Sequence, residues 1–289
     1  MIINQKSSHN AIKAWQNFLN KQGFNAGHPD GFWGPKTEMA SKLFQETHHL
    51  VADGIVGKNT INVAKESGFD IPSLKPFEPI GHSNTVFDIS HHQGGNLDFA
   101  AAKHSGMMAV FHKATEGTQF PDQRYTGRME AALQLGLLWG AYHFGRNGNG
   151  IAQADYFLSH THHNDNTVLV LDLERASSDS TMSLIDAQAF VKHIKIKTGK
   201  YPILYGGAYL KSLANYNDLG ELLACPLWLA QYTTTTHLPA GWPKYTFWQY
   251  TDGTHGPGAM PVTGIGKCDR DLFNGSKATL VEFWSEHKV

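Results

Sequence analysis

Several things are scarce in this chain, and each scarcity removes a class of protein. There are only two cysteines, Cys225 and Cys268, so no disulfide framework can be built, and both sit beside strand-like segments where buried thiols are expected. Net charge is almost absent at −1, with a pI near 7.0, which excludes the broad basic surface that nucleic acid binding needs. No run of ~18 apolar residues exists to span a membrane, so no membrane partner is expected. The opening Met1-Ile2-Ile3-Asn4-Gln5-Lys6 lacks the apolar core of a secretory leader. Histidine is plentiful at 17 residues, clustered at His48-His49, His91-His92 and His160-Thr161-His162-His163, yet zinc-type spacing is missing. Neither metal nor cofactor is expected.

What is present begins with a doubled motif. Asp30-Gly31-Phe32-Trp33-Gly34-Pro35-Lys36-Thr37 is echoed by Asp53-Gly54-Ile55-Val56-Gly57-Lys58-Asn59-Thr60. The glycines permit tight turns, and each threonine is expected to cap the helix that follows. Met39, Ala40, Leu43 and Phe44 after the first copy, and Ile61 and Ala64 after the second, fall at helical spacing. An earlier helix carries Ile12, Trp15, Phe18 and Leu19 and stops at Gly23. Residues 1–70 thus read as a small all-α module. Residues 71–85 contain Pro72, Pro76 and Pro79 and read as an extended tether that holds one module near the other.

Over residues 86–289 short apolar strands alternate with helical stretches, which predicts an α/β fold, an irregular TIM-like (β/α) barrel. The segment is shorter than the ~250 residues of a complete eightfold barrel, so helices late in the barrel should be missing or shortened. The most informative strand is Thr167-Val168-Leu169-Val170-Leu171-Asp172-Leu173-Glu174, an apolar run ending on two acids. Side chains alternate along a strand with a rise of about 3.3 Å per residue, so Asp172 and Glu174 share a face. Two acids held close cannot both ionise freely, and one is driven to keep its proton. Acid catalysis at a glycosidic oxygen requires such a group. Other predicted strand ends carry acids and aromatics too: Asp88, Lys113 and Glu116, Tyr142, Tyr205, the Trp248-Gln249-Tyr250 run, and Asp269. Lys113 and Glu116 can also be a local ion pair. Trp228 reads as core because Leu227 and Leu229 flank it, and Trp248 and Tyr250 share a face that can meet a sugar.

These residues carry two resemblances. Over roughly 8–68 the helix–DGxxG–T order resembles peptidoglycan-binding domain type 1, which implies binding to murein. Over roughly 86–276, Phe87-Asp88-Ile89-Ser90-His91, Lys113-Ala114-Thr115-Glu116-Gly117, Gly140-Ala141-Tyr142-His143-Phe144, Leu171-Asp172-Leu173-Glu174, Phe247-Trp248-Gln249-Tyr250 and Asp269-Arg270 resemble glycoside hydrolase family 25. That resemblance implies a lysozyme cutting the β-1,4 bond after N-acetylmuramic acid. By it, Glu174 is the general acid/base and Asp172 its partner, steadying a cyclised N-acetyl group; Asp88, Asp269 and Tyr142 line the groove. His92 stands where the family has tryptophan, and Asp271 where it commonly has asparagine. Bacterial peptidoglycan is the expected partner and a monomer the expected state. The expected setting is the cell wall, reached from the cytoplasm through a holin-type lesion, as for a phage endolysin, or by specialised secretion as an antibacterial effector. Rival expectations are an N-acetylglucosaminidase or chitinase-like enzyme and a non-catalytic wall-binding protein.

Overall fold

The computed structural model describes residues 3, 4, 7, 9–69, 79, 81–161, 166–176, 180–215 and 217–289. The chain forms two compact units, one of Met1–Phe77 with Gly258–Met260 and one of Glu78–Pro257 with Pro261–Val289. Most of the expected tether, and His162 and His163, lie outside the described residues.

The first unit holds α1 (His9–Lys21), α2 (Pro35–Thr47) and α3 (Lys58–Glu66). Ile12, Trp15, Phe18 and Leu19 of α1 pack with Ala40 and Phe44 of α2 and Ile61 and Ala64 of α3. Met39 and Leu43 do not join them; at 67% and 47% exposure they ride about 100° around α2 from the buried stripe. The threonines do not cap either. Gly34 and Gly57 occupy the cap positions without side-chain bonds. Thr37 and Thr60 instead each meet a buried glutamine that the sequence did not single out.

Gln16 donates to Asp30 Oδ1, the Phe32 carbonyl and Thr37 Oγ1 at 3.0 Å each, and accepts from the Gly31 N–H at 2.9 Å. Gln45 repeats the pattern with Asp53, Ile55, Thr60 and Gly54 at 2.8–3.2 Å. One amide per copy therefore ties a D-G-x-x-G loop shut, and the bonds to the loop backbone and the glutamine hold Asp30 and Asp53 below the usual carboxylate range. Gln45→Leu should destabilise this unit by about 1–3 kcal/mol or more, because the polar groups around the amide lose their partner. A thermal melt of the full chain checks it; an unchanged transition would show that the loop closes without the glutamine.

In the second unit β1 (Ser83–Ile89), β2 (Ala109–Glu116), β3 (Phe120–Pro121), β4 (Leu138–Phe144), β5 (Thr167–Asp172), β6 (Ile203–Gly206), β7 (Leu227–Ala230), β8 (Phe247–Thr251) and β9 (Asp269–Phe273) form one sheet. All but the short β3, which pairs only with β2, close into an eight-strand barrel through the β1–β2 and β1–β9 pairings. The order is mixed rather than wholly parallel: β9 runs antiparallel to both β8 and β1. Barrel pairing begins at Ser83, inside the interval read as tether.

The helices are α4 (Phe99–His104), α5 (Tyr125–Gln134), α6 (Gly150–His160), α7 (Leu184–Thr198), α8 (Ala208–Ala214) and α9 (Lys277–His287). No α-helix lies between β7 and β8 or between β8 and β9, the thinning expected from the segment's length. The short α8 was not anticipated.

Strand residues alternate between the barrel interior and the surrounding helices. Val86, Phe111, Val168, Ile203, Trp228 and Phe247 belong to the interior core, which Trp284 of α9 joins, its indole donating to the Trp139 carbonyl at 2.9 Å. Gly140 is essential to that filling: a Cβ there would stand 2.0 Å from the Phe111 ring.

Candidate active site

One pocket lies at the mouth of the barrel, lined by Asp88, Tyr142, Asp172, Glu174, Tyr205, Trp228, Gln249 and Asp269. Each residue comes from a different barrel strand or its immediate end, except that Asp172 and Glu174 share β5 and its continuation. That continuation keeps strand geometry, since the Leu173 N–H donates to the Tyr205 carbonyl at 2.9 Å. The period-two expectation for the two acids is therefore met in the backbone.

Gln249 is the hub of one wall. Its Nε2 donates to Asp88 Oδ2 at 2.8 Å, while its Oε1 accepts from the hydroxyls of Tyr205 at 2.9 Å and Tyr232 at 3.0 Å. Trp228 packs in the core as expected, 4.4 Å centroid to centroid from Phe111, and it also lines the pocket. Its indole donates to Asp271 Oδ1 at 2.8 Å.

Trp248 and Tyr250 do not belong to this lining. Gln249 faces inward, so its two neighbours face outward. There Trp248 donates to the Gln231 carbonyl at 2.7 Å, and Tyr250 accepts from Asn84 at 2.6 Å. Lys113 and Glu116 also stand outside the lining. Lys113 pairs with Glu116, and Glu116 with Arg146, whose Nε donates at 2.8 Å. The Lys113 and Arg146 cations further stack on the Phe144 ring, at 4.9 and 4.7 Å from its centroid.

The expectation that Asp269 ends its strand is also corrected. Asp269 opens β9, and the antiparallel direction of β9 is what brings that first residue to the mouth, opposite Asp88. Tyr232, just beyond β7, joins this wall through Gln249 without having been chosen from the sequence. Arg146 had no signal, being 30 residues from Glu116 in sequence.

The electrostatics are those of acids removed from water. Burial, then the proximity of Glu174, pushes Asp172 well above the usual carboxylate range. Burial raises Glu174 too, against the pull of the Lys113 cation. Burial with Asp269 and Asp271 nearby raises Asp88, and Asp269 itself is lifted by burial to about 6. Asp172 is 6% exposed and its Oδ1 is buried with no hydrogen-bond partner among the described residues, whereas Glu174 is less deeply buried. Of the pair, Glu174 is the more accessible to solvent.

These shifts set a pH dependence of stability. The buried acids bind protons in the folded chain that the unfolded chain has released, so they make stability fall as pH rises above about 4. His112 and His143, lowered by burial to about 4, act oppositely, but only up to their unfolded value of 6.5. Above that pH the acids alone remain. Barrel stability should then drop between pH 6.5 and 8, by up to about 1.4 kcal/mol per pH unit for each proton still held. Denaturant titrations at both pH values test this; equal stability would show that the acids are already ionised.

No cluster suited to a metal ion occurs among the described residues. A barrel whose mouth gathers aromatic rings and carboxyls that burial pushes upward, one of them accessible, is the arrangement of a glycoside hydrolase. Residues 87–259 match the profile of glycosyl hydrolases family 25, and residues 8–63 that of a peptidoglycan binding domain. The chain belongs to glycosyl hydrolases family 25. It is 33% identical to lysozyme M1 of Streptomyces globisporus, over 67% of this chain and 69% of that one. It is 32% identical to an N,O-diacetylmuramidase of Arthroderma benhamiae, over 68% and 85%. The crystal structure of the bacterial lysozyme from Streptomyces coelicolor superposes with a TM-score of 0.58 at 30% identity, covering 71% of this chain and 99% of that one.

Proposed function

We propose that the protein is a muramidase that cuts the β-1,4 bond between N-acetylmuramic acid and N-acetylglucosamine in bacterial peptidoglycan. Glu174 gives its proton to the leaving oxygen and later takes one from water. Asp172 accepts the N–H of the substrate's acetamide, so that the acetamide oxygen attacks the anomeric carbon and the product keeps its β configuration. Asp88, Tyr142, Tyr205 and Asp269 bind the sugar. The observation that carries this reading is the neighbouring acid pair, with Asp172 secluded and Glu174 accessible in a pocket whose acids are all raised by burial.

The helical unit is proposed to bind murein and keep the barrel on its polymer. The two activities on one chain support a role in wall lysis, as an endolysin passing through a membrane lesion or as a secreted antibacterial effector. A neighbouring holin gene favours the first and an immunity gene the second.

Digestion of purified murein followed by borohydride reduction and mass analysis tests the bond cut. Reduced N-acetylmuramic ends are expected. Reduced N-acetylglucosamine ends would replace the reading with a glucosaminidase, and no cleavage at all would leave a wall-binding protein.

A further inference from the structure

Asp172 ends β5 with its Oδ1 buried and without a hydrogen-bond partner among the described residues, yet the reading above needs it as an anion. A secluded carboxylate with no donor is costly unless positive charge stands close by. The surrounding acids add to the cost. Glu174, Asp88 from β1 and Asp269 from β9 share its pocket, and Asp271 is fully buried on β9. Beyond Glu174, Arg175 lies over the Tyr209 ring at 5.3 Å and Lys211 is given to Gln231.

Positive charge comes from the β2 and β4 side. In the sheet register Phe144 is the partner of Asp172 and Lys113 the partner of Tyr142, so both side chains fall on the face that lines the pocket. The Gly145 N–H donates to the Asp172 carbonyl at 2.9 Å, which brings the next residue, Arg146, to the same end. Lys113 Nζ and the Arg146 guanidinium stand against the Phe144 ring, 4.9 and 4.7 Å from its centroid. Glu116 bonds to both cations; burial opposes its charge, but those bonds hold it below its ordinary range. Arg146 is fixed further by Ser180 Oγ, to which its Nη1 donates at 2.8 Å, and by Gln153 Oε1, which accepts its backbone N–H at 2.9 Å. Two cations against one anion leave one positive charge in excess. Burial and Glu174 raise Asp172, and Lys113 and Arg146 work against both.

We propose that Lys113 and Arg146, seated on Phe144 and joined by Glu116, form a fixed cationic wall whose excess charge lets Asp172 work as a carboxylate beside Glu174. Lys113 and Arg146 are positioning residues that act through Asp172, and no bond to them is made or broken. The proposal rests on the muramidase reading above, in which Asp172 acts as an anion.

The test is a carbon-13 titration of the Asp172 carboxyl in the aspartate-labelled full chain, assigned by difference against Asp172→Asn. It is followed in a Glu174→Gln background, where the neighbouring acid no longer titrates. Lys113→Met should move the midpoint up by about half a pH unit or more, and Glu116→Gln should move it down, since one removes a cation and the other the anion. Lys113→Arg keeps the charge and should leave the midpoint near the parent value. Opposite signs are not expected of residues that serve packing alone. An unmoved midpoint in Lys113→Met, an upward shift in Glu116→Gln, or a Lys113→Arg shift as large as that of Lys113→Met would each overturn the proposal. With the acid pair intact, Lys113→Met should also carry both limbs of the pH profile of murein cleavage upward, and unmoved limbs would count against the wall equally. If the parent chain fails to cleave murein, the muramidase reading falls, while the titration still decides whether the wall acts on Asp172.

Discussion

Glu174→Gln is expected to slow murein cleavage by about 10²–10⁴-fold, the range that a positioned general acid contributes. The amide keeps the size of the carboxyl but has no proton to yield to the leaving oxygen. Release of reducing ends from purified murein measures the loss, and co-sedimentation with murein should be unchanged, since the helical unit is untouched. A variant that turns over at the parent rate would remove Glu174 from the mechanism. The parent enzyme should also slow as pH rises through the raised value of Glu174, because the form that donates is depleted. That alkaline limb should be missing from whatever activity the glutamine variant retains.

Asp172→Asn is the second large effect, with an expected loss on the order of 10²–10³-fold, typical when one contact to a charge-building group is removed. In the proposed route the acetamide N–H and the positive charge that forms as the ring closes favour the Asp172 carboxylate that burial alone disfavours, and that carboxylate balances the charge. Asparagine preserves the shape without that charge. Two further outcomes separate this role from direct attack by Asp172. A substrate whose acetamide is replaced by a hydroxyl should be turned over poorly if the acetamide is the nucleophile. A covalent sugar ester on Asp172, trapped and seen by intact-mass analysis, would instead make Asp172 the nucleophile.

How much of this was legible before any coordinates depended on the range of the interaction. The β5 run and its two acids are local, and alternation alone placed them on one face. On β8 the same alternation was recognised but no phase was fixed: Trp248, Gln249 and Tyr250 were all taken toward the sugar, and only the polar Gln249 faces the pocket. The direction of β9 was hidden, since a strand has the same alternation whichever way it runs. The Gln16 and Gln45 bonds are tertiary contacts spanning 8 to 21 residues, and an interior glutamine in a helix looks like a surface residue. Asp271 was noticed as an added charge; its seclusion, which opposes that charge, is visible only in three dimensions.

The reversed stave has a consequence of its own. Because β8 runs up to the rim and β9 starts from it, residues 252–268 form a return whose two ends both lie at the acid-bearing end of the barrel. No crossover helix lies within it; it meets the outer layer at the start of α4, where the Gly264 carbonyl accepts the Asp98 N–H at 2.9 Å. Buried Val262 and Ile265 anchor the return, so its exposed positions, Thr254 and Lys267 among them, are where substitutions can alter the rim while the register of every other stave stays as it is.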